Sequence, residues 1–143
     1  MSNIIGARAP GWFRLVALLA LLWNLVGVYF YLVHVKLVTG PAVSPAEAAI
    51  GESMPSWATA CFAVGVIGGS LGALGLLMLK GWSRLLLFLS LLALIAEQSW
   101  LLFLSGAPQA LGPSAYGLPV TVLIVAALLV WLAGSASKKG WLG

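Results

Sequence analysis

The sequence predicts an all-α membrane protein, a four-transmembrane-helix bundle with both termini cytoplasmic, and three observations predict it. Of its 143 residues, 62% are apolar and only 7% charged, whereas soluble chains average ~25% charged. The apolar residues gather into four continuous stretches, about 12–38, 56–79, 85–104 and 116–133. Each is near the length that crosses a ~30 Å hydrocarbon core at ~1.5 Å per helical residue. The basic residues are one-sided: Arg8 and Arg14 precede the first stretch, Lys80 and Arg84 separate the second from the third, and Lys138 and Lys139 follow the fourth. The positive-inside rule makes that side cytoplasmic, and an even number of spans agrees. Barrel strands would alternate in polarity, so helices are the spanning structure, in a single transmembrane domain over 1–143. The net charge of +4 thus reflects topology rather than a nucleic-acid surface.

The chain opens on a polar lead ended by Pro10-Gly11, with Trp12 at the inner interface. The first stretch exceeds the ~7–15 residues of a signal-peptide core and is read as a retained anchor. Ala17, Ala20, Asn24, Gly27, Tyr31 and His34 share one side of it at steps of three and four. At ~40 Å the helix outruns the bilayer, so it tilts or projects. In the outer loop, Ser44-Pro45-Ala46-Glu47 carries a capping serine, a first-turn proline and a glutamate three residues past the cap. This predicts a short surface helix over about 45–50.

The second stretch is organised by small residues. Ala58, Cys61, Gly65, Gly68, Gly69, Gly72 and Gly75 recur at steps of three and four, with Phe62, Val66 and Leu74 assigned to the opposite, bulky side. Gly65, Gly68, Gly69 and Gly72 form two overlapping small-xxx-small pairs, the pattern that lets helix backbones approach in lipid. This helix is expected to be the central post of the bundle. The short turn 80–84 makes the second and third helices antiparallel neighbours. On the third, Ser90, Ala93, Glu97 and Trp100 share a side, with Gln98 about a quarter turn away. The outer loop 105–115 has two prolines, two glycines and no charge, a composition suited to irregular packing. Trp12, Trp82, Trp131 and Trp141 mark the inner interface and Trp57 and Trp100 the outer one, while Trp23 falls near mid-membrane.

Glu97 is the only acidic residue inside a span. An ionised carboxylate at the bilayer centre costs ~3 kcal/mol on insertion scales, so Glu97 is expected to face the bundle. There it would join Asn24, Tyr31 and Gln98, with His34 at the outer mouth. Two readings of this cluster compete. In one, Glu97 is a neutral carboxyl held by hydrogen bonds to Asn24, Tyr31 or a backbone carbonyl. In the other, it binds a proton or a polar solute during transport. One histidine and one glutamate cannot build a closed metal site. The lone Cys61 makes no disulfide framework. No nucleophile-base pair, H-E-x-x-H, Walker or dinucleotide signature is present. No catalytic residue, cofactor or nucleic-acid partner is therefore expected.

Leu22-Trp23-Asn24-Leu25-Val26-Gly27, Pro55-Ser56-Trp57-Ala58, Gly68-Gly69-Ser70-Leu71-Gly72 and the Gly140-Trp141-Leu142 tail resemble a family of small, largely uncharacterised proteobacterial inner-membrane proteins often labelled "sugar transporter". The resemblance implies a multi-pass protein of the bacterial inner membrane. It transfers no functional residues. The glycine face, Trp23 and the scarcity of polar lining predict a protein that works by association, with copies of itself or as an accessory subunit of a membrane complex. The alternative is a carrier of a small polar solute, sugar-like or otherwise, coupled to protons through Glu97.

Overall fold

A computed structural model describes residues 9–143. Arg8 and the rest of the expected lead through residue 8 lie outside the described residues. Within them the chain is all-helical, with no strand. Helix α1 is Gly11–His34, α2 Pro45–Glu52 and α3 Ser56–Leu77. Helix α4, Ser83–Ser99, continues through a π-helical turn, Trp100–Leu104. Helix α5 is Ala107–Leu111, a 3-10 turn follows at Gly112–Tyr116, and α6 is Gly117–Lys138. Four stretches are long and apolar enough to cross a membrane: α1, α3, α4 with its π turn, and the run from α5 through α6.

Helix ends follow from local chemistry. Helix α1 stops at His34 rather than running to Val38. Lys36 turns into the left-handed region (φ 65°), and the Leu37 amide donates to the Leu32 carbonyl at 2.9 Å. This is the Schellman arrangement that satisfies orphan carbonyls. The Tyr29 hydroxyl then donates to the Thr39 carbonyl at 3.2 Å and folds the connection back along the helix. Ser44 and Glu47 form the reciprocal capping box that starts α2. Helix α6 runs on to Lys138, past the expected limit at residue 133. Ala136 is fully buried in the core, Arg84 donates to the Ser137 hydroxyl at 3.3 Å, and Gly140 (φ 76°) supplies the left-handed stop. The 105–115 connection, expected to be irregular, is mostly the helical turns of α5 and the start of the 3-10 segment.

The spans pack in a curved row, α1–α3–α4–α6. Helix α3 makes its most extensive contacts with α4 and then α1, and α4 also packs on α6, while α3 barely touches α6. The central post is therefore a pair, α3 with α4. Glycine explains how closely they meet. A Cβ on Gly72 would lie 2.7 Å from Leu87 Cγ and 3.2 Å from the Leu87 backbone nitrogen, and one on Gly65 2.7 Å from Leu94 Cγ. One on Gly69 would collide with Asn24 Oδ1 of α1. Gly68 differs, because its nearest neighbours would stand at 3.6 Å, ordinary contact. Val66 is also not on a bulky outer side: it is buried and faces Gly27 of α1.

At the end bearing Arg14, Lys80, Arg84, Lys138 and Lys139 all four spans close around one core. Phe13, Ala17 and Ala20 of α1 pack there with Leu76, Leu87, Leu132 and neighbours. Trp141 stacks edge-on against Phe13 at 5.3 Å and Trp12 at 5.9 Å, and the Gly143 amide donates to the Leu79 carbonyl at 2.8 Å. At the opposite end, α2 rests on α5.

These clearances rank the glycines. Gly72→Ala should destabilise the protein by about 1–3 kcal/mol, the usual cost of overpacking. Gly68→Ala should be neutral or gain up to ~1 kcal/mol from the better helix former. Denaturant unfolding in mixed detergent micelles, followed by circular dichroism, measures both, and equal losses would contradict the packing described.

Candidate functional site

The polar residues of the spans divide into two kinds. Ser70 donates to the Val66 carbonyl at 2.7 Å and Thr121 to the Gly117 carbonyl at 2.8 Å, each one turn back on its own helix. Such bonds satisfy a hydroxyl without building a site. Ser90 Oγ donates across to the Gly65 carbonyl at 2.6 Å and ties α4 to α3. The second kind is gathered where α1 and α6 part.

Between these two helices, on the side away from the basic end, lies a cavity of about 320 Å³. Val66 and Phe62 of α3 and Leu94 of α4 form its back. Trp23, Val26 and Phe30 of α1 and Leu118 and Val122 of α6 form its sides. Asn24, Glu97 and Gln98 are its polar lining. Toward the basic end it narrows beyond Asn24 and Leu94 to a crevice of about 10 Å³, the space of a single water at most. Val26, Phe30 and Leu118 at the mouth are exposed. No residue of α2, α5 or the connections lines the cavity, so its opening belongs to the spans.

Glu97 is 5% exposed and Gln98 8%. The Gln98 Nε2 donates to Glu97 Oε1 at 2.6 Å, while Gln98 Oε1 is buried without a partner. An orphaned buried acceptor is uncommon and costly. Asn24 donates to the Ala20 carbonyl at 2.8 Å and rests its oxygen over Gly69, the position a side chain there would take. The π turn begins two residues beyond Gln98, at Trp100, and π turns within helices are frequent at functional sites.

The five residues expected to cluster are thus split. Asn24, Glu97 and Gln98 line one cavity. Tyr31 instead meets Phe62 edge-on at 5.5 Å. His34 lies 3.5 Å from the Thr59 hydroxyl, beside a wide hollow of about 590 Å³ that also holds Lys36, Glu47 and Glu52. Glu97 finds its partner in the next residue of its own helix rather than across the bundle. Trp100 is buried at 6% exposure, in keeping with its place on the Glu97 side of the helix, whereas Phe13, which anchors the basic-end core, is not among the residues singled out above. Phe13 shares the side of Ala17, Ala20 and Asn24, and that spacing could have found it.

Among the described residues no three His, Cys, Asp or Glu side chains gather where they could hold a metal ion. The cavity is mostly apolar, in the size range of small-ligand pockets, with a few convergent polar groups. No protein-family profile, curated protein or solved structure matches this chain.

Removing one partner of the Glu97–Gln98 bond should cost more than removing both. Gln98→Leu strands a buried carboxyl and should destabilise by about 1–3 kcal/mol. Adding Glu97→Leu should recover most of that loss, because apolar replacement of both partners is close to neutral. A double-mutant unfolding cycle that came out additive would contradict the pairing.

Proposed function

We propose that this protein is a small binding protein of the bacterial inner membrane, with both termini in the cytoplasm, that holds a small molecule in the cavity between α1 and α6. The observation that carries the reading is the buried carboxyl and amide of Glu97 and Gln98, the latter with an unpartnered oxygen, in the wall of a cavity of about 320 Å³. Natural interiors seldom keep such a space beside an unpaired acceptor without use. The orientation is supported by Arg14, Lys80, Arg84, Lys138 and Lys139 sharing one end, by the positive-inside rule, and by the resemblance to inner-membrane proteins.

A proton-coupled carrier extends the same reading. It would have to open the basic-end core, where Phe13, Ala17, Leu76 and Ala136 are fully buried. Proton coupling through Glu97 would make solute uptake into liposomes fall in Glu97→Gln. Equal background uptake by both proteins would remove the carrier and leave binding.

Association is the second reading, and one observation favours it: Trp23 is 38% exposed beside the cavity mouth, where a neighbouring helix could cover it. Gly65, Gly69, Gly72 and Gly75 are buried within the bundle, so an interface would have to use bulky outward faces rather than the glycine ridge.

Native mass spectrometry of the protein released from membranes tests the main reading. The wild type should carry a bound small molecule, which Val122→Phe, by filling the cavity, should lose. A wild type with no adduct, or an adduct that Val122→Phe keeps, would contradict binding there. A dimer lost in Trp23→Ala would favour association.

A further inference from the structure

Resting on the binding reading, we infer that the occupant is an amphiphile drawn from the lipid, with a head that donates hydrogen bonds and bears no negative charge, and a hydrocarbon chain laid between α1 and α6. Access decides the chain. The cavity is bounded by spanning helices alone, and α2 and α5 meet each other at that end of the molecule. Its rim, Val26, Phe30 and Leu118, is apolar and exposed. A rim of this chemistry favours an occupant that carries hydrocarbon over a fully polar solute.

The lining decides the head. Gln98 is nine-tenths buried in the cavity wall and its Oε1 has no donor, and Glu97 has one hydrogen-bond partner, the Gln98 amide. Asn24 gives one Nδ2 hydrogen to the Ala20 carbonyl, and it and Gln98 each keep one further N–H beside their oxygens. With the Glu97 oxygens counted, the wall offers more acceptors than donors. It contains no Lys, Arg or His, so nothing there would offset a phosphate or carboxylate brought beside Glu97. Hydroxyl groups on a short neutral head fit, and the length beyond them matches a chain running past Trp23 and Val122 toward the bilayer.

The probe is a 1-monoacylglycerol with a dibrominated chain, added to the full-length protein in phosphatidylcholine nanodiscs. Trp23 quenching is read as the difference between wild type and Trp23→Phe. The expected result is saturable quenching, abolished by Val122→Phe and by Leu118→Trp, the latter at an exposed rim position that leaves the core untouched. Glu97→Leu with Gln98→Leu should weaken it about tenfold, the loss expected for one buried hydrogen bond. An alkyl phosphate with the same chain that bound as well would overturn the assignment of the head. Saturable displacement of the probe by glycerol alone would overturn the chain while leaving a binding cavity. Quenching that never saturates and ignores both filling variants would overturn the inference, and the native mass of the wild type then decides whether binding itself survives.

Discussion

The distance between the α3 and α4 backbones sets the rest of the molecule. Gly65 and Gly72 leave no side chain between them and Leu94 and Leu87 of α4, and the closeness lets Ser90 reach the Gly65 carbonyl at 2.6 Å. In lipid no hydrophobic effect drives such a pair together, so dispersion and interhelical hydrogen bonds must do it, and small residues let the backbones come close enough for both. Gly69 extends the same economy to α1, where Asn24 occupies the volume a side chain would have taken.

A tight α3–α4 pair has a consequence at its flanks. Helices α1 and α6 pack on opposite members of the pair and converge only at the basic end, where Phe13, Trp141, Leu132 and Ala136 fill the space between them. Toward the other end no such filler is present, and the gap becomes the cavity. Glu97 and Gln98 lie on α4 at that level, beside one another, so the carboxyl has a donor but the amide oxygen does not. In a bilayer that imbalance is expensive, because no water replaces the missing donor.

The architecture was legible because it depends on length and periodicity. Four apolar stretches, one-sided basic residues and the Ser44–Glu47 cap are local signals, and the helices follow them. Small-residue spacing marked α3 as the closely packed helix, yet it could not tell which glycine met which neighbour. Gly68 has room for a side chain and Val66 is internal, and both depend on where α1 and α4 sit around α3. The site was legible only in part. Burial cost singled out Glu97, but a helical wheel does not say that its partner is the adjacent Gln98, nor that Tyr31 turns to Phe62. The cavity itself is a gap between two helices that do not meet, and no residue encodes a gap alone.

Helices α1 and α6 part away from the basic end, and on the proposed reading that gap opens toward lipid. A nitroxide at residue 122, in a Cys61→Ala background reconstituted into bilayers, tests it through collision with paramagnetic reagents. Ready access for lipid-dissolved oxygen and exclusion of a water-soluble nickel chelate are expected. A label shielded from both would mean that the two helices close on each other, and one reached by the chelate would mean that the cavity faces water.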